Sequence, residues 1–189
     1  MTSEETLRHF KDTDALLEGH FVLRSGLHSR QFFQCAMLLQ HPRTAEAVCA
    51  ALAELLHATA CDTVISPAMG GIIVGHEVGR ALAKRHIFAE KEDGRLVLRR
   101  GFMIFPGERF IVVEDVVTRG GRVQETIDIV RGQGGVVVAV GVLVDRSGEH
   151  QPDFGCPFHS LMRLVVETFP ADQLPADLNN VPAIKPGSK

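Results

Sequence analysis

The chain has 189 residues, 45% of them hydrophobic and 23% charged, with a formal net charge of −3. That balance fits one globular domain around a single core and excludes a disordered chain, a fibrous repeat and a coiled coil. No apolar run approaches the roughly 18–20 residues of a membrane helix, and the mildly acidic balance leaves no footprint for nucleic acid.

The opening MTSEETLRHFKD lacks the basic-then-apolar pattern of a secretory signal, so a cytoplasmic protein is expected. Thr2 and Glu5 have capping-box spacing, and Leu7, Phe10, Leu16 and Leu17 predict a helix over 4–17 that Gly19 ends. FVLRSGLHSRQFF alternates around a Ser-Gly turn and predicts two short strands. Pro42 suits the first turn of a helix, and 44–59 is rich in Ala, Leu and Glu at helical spacing. From there strands and helices alternate. A strand over 63–66 leads through PAMGG into a helix over 72–84, and a strand over 87–90 opens EKEDGRLVLRRGF, which is compatible with a hairpin. A continuous apolar strand over 109–113 is followed by a Gly-bearing loop and a helix over 123–132, which Gly134 and Gly135 close. VVVAVGVLV reads as a buried strand, and a last strand over 161–167 precedes a Pro-bearing tail.

Continuous Val/Ile runs separated by amphipathic helices are what a parallel sheet covered on both faces requires. The expected fold is therefore α/β, a central parallel sheet flanked by helices. It forms one domain over 1–189, with an N-terminal cap over 1–40 and a tail over 170–189. Cys35, Cys49, Cys61 and Cys156 form no C-x-x-C pair, so reduced, mostly buried thiols are expected. The histidines show no metal-ligand spacing, which argues against a structural zinc site.

In an open α/β sheet, ligands bind where strands end and loops lead into helices. The segment RFIVVEDVVTRGGRVQETIDIV delivers Glu114 and Asp115 from a buried strand, then Thr118, Gly120 and Gly121 just before a helix. Small residues at a helix N-terminus leave backbone N–H groups free to hold a phosphate. Two carboxylates beside a phosphate site make sense if they face sugar hydroxyls or a magnesium ion. An ordinary strand-to-helix turn with solvated acids is the bland alternative. Neither G-x-x-x-x-G-K-[ST] nor G-x-G-x-x-G occurs, so ATPase and dinucleotide readings lose their main support.

VVEDVVTRGG resembles the 5-phosphoribosyl 1-diphosphate (PRPP) motif of the type I phosphoribosyltransferase family, and the wider chain resembles its orotate-using members. FVLRSGLHSRQFF is similar to their orotate-binding segment, SPAMGGIIVG to their pyrophosphate loop, EKEDGRLVLRRGF to a short form of their mobile basic loop, and LVDRSG to the segment with their orotate-binding Arg. The resemblance implies a type I phosphoribosyltransferase fold with an N-terminal hood. It implies magnesium-dependent transfer of phosphoribosyl from PRPP to N1 of orotate, giving orotidine 5′-monophosphate and pyrophosphate in pyrimidine (UMP) biosynthesis. The partners implied are orotate, PRPP and a second copy of the chain, in a homodimer whose basic loop serves the neighbouring site, with neither nucleic acid nor membrane.

By position, the resemblance assigns Glu114, Asp115, Val116, Val117, Thr118, Arg119, Gly120, Gly121 and Arg122 to PRPP, the two acids on the ribose hydroxyls. Arg24, Gly70 and Lys91 join them, with Lys91 and Asp115 catalytic. Thr118, Arg146, Phe32 and Phe33 fall to orotate, although adjacent strand residues face opposite ways and one of the two Phe belongs to the core. Magnesium is implied to be held by PRPP and water rather than by protein ligands. The chain departs from the family where many relatives read T-T-G-G-S, since Arg119 and Arg122 replace small hydroxyl residues. A phosphoribosyltransferase for a purine or uracil would keep the PRPP loop and lose the Phe and Arg146 assignments. A regulatory PRPP or nucleotide sensor of the same fold would be expected to show a basic face.

Overall fold

The computed structural model describes residues 1–23 and 25–186. Helix α1 (Ser3–Asp12) starts on the expected capping box. The Glu5 amide donates to Thr2 Oγ1 at 3.2 Å, and the Thr2 amide donates to Glu5 Oε2 at 2.7 Å. It ends earlier than the apolar spacing predicts, because Asp14 turns into the left-handed region at φ 51°, which Asp tolerates better than most residues. Leu16 and Leu17 therefore open strand β1 (Leu16–Val22), with Gly19 inside it, and β1 pairs antiparallel with β2 (His28–Phe33). A short helix α2 (Cys35–Leu39), absent from the sequence reading, leads into α3 (Pro42–Leu56), with Pro42 in its first turn as expected.

Six strands form the central sheet: β3 (Thr63–Pro67), β4 (Arg85–Glu92), β5 (Arg95–Leu98), β6 (Arg109–Val117), β7 (Val136–Asp145) and β8 (Phe158–Arg163). Their order is β5-β4-β3-β6-β7-β8, parallel except for the β4–β5 hairpin. Asp93 and Gly94 turn that hairpin at φ 48° and 87°, the pair of positive values that a tight hairpin matching strand twist requires. Helix α4 (Gly70–Ala81) follows β3, and α5 (Gly121–Gly132) follows β6. Along β6, Ile111 and Val113 pack with Val74 and Val78 of α4, while Phe110 and Val112 pack with Val123, Ile127 and Val130 of α5. This two-residue alternation between covered faces is why β6 and β7 read as unbroken apolar runs.

Several strand boundaries differ from the sequence reading, two of them through the pairing of β7. Strand β6 runs on through Val117 rather than stopping at Val113, because its parallel partner β7 continues to Asp145 beside it. The last strand of the sheet ends at Arg163, where β7 ends. Beyond it, β9 (Thr168–Phe169) joins β2 in a separate three-stranded sheet, β1-β2-β9. The tail is fixed to this N-terminal sheet. Ile184 exchanges backbone hydrogen bonds of 2.8 Å with His20 and Val22, and Arg30 grips Asp177 at 2.8 and 2.9 Å and Glu167 at 2.6 Å. Cys35, Cys49, Cys61 and Cys156 are all free thiols, and no helix among the described residues is long and apolar enough to cross a membrane.

Candidate active site

Strands β3 and β6 are neighbours, yet the chain leaves β3 toward β4 on one side and β6 toward β7 on the other. Such a reversal opens a crevice at the strand C-termini. A cavity of about 1130 Å³ lies there, bounded by the β3–α4 and β6–α5 loops, the β4–β5 hairpin and the start of α2.

The end of β6 supplies the acids, and the loop after it leads into an uncapped helix start that could hold an anion. Glu114 is buried, its Oε1 accepting the Asp115 amide at 3.1 Å, and Asp115 Oδ1 accepts the Val116 amide at 2.8 Å. Burial first, and the neighbouring Asp115 charge second, push the Glu114 carboxyl well above the ordinary carboxylate range. Side by side at the strand end, the two acids offer carboxyl oxygens to a ligand that carries adjacent hydroxyls. Gly120 precedes α5 at φ 77°, and no side chain caps the helix. Its first N–H groups remain open, with no acid in the first turn to oppose an anion. Gly120 is required twice over, by its positive φ and by Phe154, which a Cβ there would approach to 2.9 Å.

The second loop approaches from β3. Its Ala68–Met69 peptide is cis, and α4 starts at Gly70 without a side-chain cap or an acid in its first turn. A Cβ at Gly70 would overlap the Asp115 carboxylate, and one at Gly71 would meet Glu114 Oε1 at 3.0 Å. These glycines let the acids lie against the helix start, whereas Gly75 and Gly79 make room for His86. Arg122 Nη1 donates to the Ala68 carbonyl at 2.9 Å and ties the two loops together across the cavity mouth.

Phe33 and Arg146 form the third wall. Phe33 is buried edge-on against Phe10 at 5.8 Å, and the Arg146 guanidinium stands 5.2 Å above its ring. Arg146 Nε is buried without a hydrogen-bond partner. Burial pulls the Arg146 guanidinium below its usual range, the signature of a desolvated cation short of an anion. Cys35 lines the same wall, and burial together with the Asp115 charge pushes its thiol well up. A neutral, buried thiol is not a nucleophile.

From the hairpin, Lys91 and Arg100 reach the cavity rim. Arg100 is engaged by Glu90 at 2.8 Å and Arg99 by Glu92 at 2.7 Å. Lys91 is exposed and has no ion-pair partner among the described residues.

A family model described as a phosphoribosyl transferase domain matches residues 34–161, more than half of the chain. The chain belongs to the phosphoribosyl transferase family. Over its full length it is 48% identical to the orotate phosphoribosyltransferase of Caldicellulosiruptor saccharolyticus, covering 98% of that protein. It is similar to the crystal structure of orotate phosphoribosyltransferase from Aeropyrum pernix, at 26% identity and a TM-score of 0.71, over 83% of this chain and 92% of that one. The adenine phosphoribosyltransferase from Rhodothermus marinus shares the fold at 22% identity and a TM-score of 0.65, over 85% of this chain and 99% of that one. An orotate and an adenine phosphoribosyltransferase thus share this fold.

In this phosphoribosyl transferase every residue from Glu114 to Arg122 borders the cavity, as do Gly70, Lys91, Phe33 and Arg146. Phe32 does not; it packs on Phe21 at 5.8 Å, on the other face of β2. Arg24 lies outside the described residues. The sequence reading missed Cys35, Phe88 and Arg100, which also line the cavity. Phe88 precedes Lys91 on one strand, and that proximity was the available signal.

Proposed function

We propose that this phosphoribosyl transferase moves the phosphoribosyl group of PRPP to N1 of orotate, releasing pyrophosphate and forming orotidine 5′-monophosphate. The carrying observation is Arg146, a half-buried cation whose buried Nε has no hydrogen-bond partner, set above the Phe33 ring and lining the same cavity as the two acids. A planar guanidinium over an apolar ring suits a flat, carboxylated pyrimidine and has no anion to meet in a purine. The name carried by relatives 48% identical over the whole chain points the same way.

In this reading the open N–H groups of α5 hold the 5-phosphate, and Glu114 and Asp115 hold the two ribose hydroxyls. The C1–oxygen bond to pyrophosphate breaks with oxocarbenium character as the C1–N1 bond forms. Charge grows on the departing pyrophosphate, where the uncapped start of α4 and the unpaired Lys91 can meet it. The N1 proton leaves with bond formation, and pyrophosphate is basic enough to receive it.

Among the described residues no group of three or more Asp, Glu, His or Cys side chains is placed to hold a metal ion. Glu114 and Asp115 could therefore add at most two side chains to the coordination of a magnesium ion, the other ligands coming from substrate and water. Bound in that way, magnesium supplies charge neutralisation on the pyrophosphate. A homodimer in the cytoplasm and a place in UMP synthesis belong to the same proposal. The sharing of Lys91 across the dimer belongs to the same proposal: Lys91 stands exposed on the β4–β5 hairpin at the cavity rim, from where it would serve the site of the neighbouring chain.

The decisive assay follows orotate absorbance with PRPP, run beside adenine, hypoxanthine and uracil. Orotate alone should be consumed, chelation should stop the reaction, and magnesium should restore it. Consumption of a purine instead of orotate would overturn the assignment. The Arg122 tie gives a second expectation. Arg122→Ser removes a charged donor from Ala68 and loosens the loop behind Gly70, so initial rates should show a PRPP KM raised about tenfold. The orotate KM should hold.

A further inference from the structure

We propose that Asp145 is a positioning residue for Arg146, fixing the turn that carries this cation while leaving its guanidinium unpaired for a carboxylate ligand. The inference rests on the orotate reading above. Sequence adjacency invites an Asp145–Arg146 pair, but the structure sends the two side chains apart, as neighbouring residues at a strand end must be. Asp145 is fully buried. Its Oδ1 accepts the Ser147 amide at 2.9 Å, and its Oδ2 accepts Gln151 Nε2 at 3.1 Å and lies 3.7 Å from Arg163 Nε. Arg163 reaches past it to donate to the Gly148 carbonyl at 2.5 Å.

One carboxylate thus gathers the turn over 145–151 from three directions. The main chain is pinned as well. The Arg146 amide donates to Val117 O at 2.8 Å, and the Leu164 amide to Asp145 O at 2.8 Å. The Val117 bond attaches Arg146 to the strand that carries Glu114 and Asp115, so the base wall and the ribose acids share one frame.

The division of charge matters as much as the geometry. Were Asp145 paired with Arg146, the cation would be neutralised before a ligand arrived and would have to exchange one carboxylate for another. With Asp145 committed to Arg163, Gln151 and Ser147, the attraction of Arg146 is kept for the ligand, and its direction is set in advance.

Asp145→Asn keeps the shape and removes the charge that holds Arg163. Steady-state kinetics should show an orotate KM raised about tenfold, with kcat and the PRPP KM within about twofold of wild type. The inhibition constant of uracil, which lacks the carboxylate, should not move. Arg163→Gln, at an exposed side chain, should shift the orotate KM the same way by less, even if Asp145→Asn folds poorly. Wild-type protein that consumes no orotate with PRPP would overturn the functional reading and this inference together. Wild-type turnover with an unchanged orotate KM in both variants would overturn the positioning role alone, and so would a parallel rise in the uracil constant and the PRPP KM.

Discussion

Arg146→Ala is expected to raise the orotate KM about a hundredfold while the PRPP KM changes little. Removing one partner of a desolvated charge contact costs roughly 2–5 kcal/mol, and each 1.4 kcal/mol is about tenfold in affinity. The effect should be confined to the base because Arg146 touches none of the open N–H groups of α5 and stands over Phe33. Folding should survive. The side chain makes no hydrogen bond through Nε to lose, and taking an unpaired cation out of a buried site relieves a desolvation cost. Equal losses for orotate and PRPP would remove Arg146 from the base wall.

Lys91→Ala is expected to lower kcat by about 10²–10³, the usual result of removing one positioned donor from a developing anion. Substrate KM values should move far less, because the charge that Lys91 meets is largest in the transition state. Mixing Lys91→Ala subunits with Asp115→Ala subunits then tests where Lys91 acts. With Lys91 serving the neighbouring chain's site, verified subunit exchange should restore partial activity, because a mixed dimer holds one site with both defects and one with neither. No recovery after verified exchange would show that Lys91 acts within its own chain or not at all.

Much of the site was legible locally. The run from Val112 to Arg122 reads as strand, acids and open helix start because its determinants are near in sequence: apolar residues for a buried strand, glycine for the positive φ at 120, and no capping side chain. The β4–β5 turn was legible for the same reason, since Asp93-Gly94 is a local conformational preference. The end of α1 was not. Leu16 and Leu17 satisfy a helical stripe and a strand equally well, and pairing with Phe33 and Phe32 decided between them.

The sequence by itself thus determined the alternation of strands and helices, the strand end that presents two acids before an uncapped helix, and the family pattern they compose. These depend on residue type and spacing within about a dozen positions, where backbone preference and side-chain periodicity act. Tertiary structure alone decided that Phe33 and not Phe32 faces the cavity, that Arg122 spans 54 positions to hold Ala68, and that Lys91 has no ion-pair partner among the described residues while its arginine neighbours pair. It also decided that Asp145 turns away from Arg146. Each of these is a choice among partners equally compatible with the residue's own chemistry, and only the packing of distant strands at the sheet's reversal point makes one partner near and the others far.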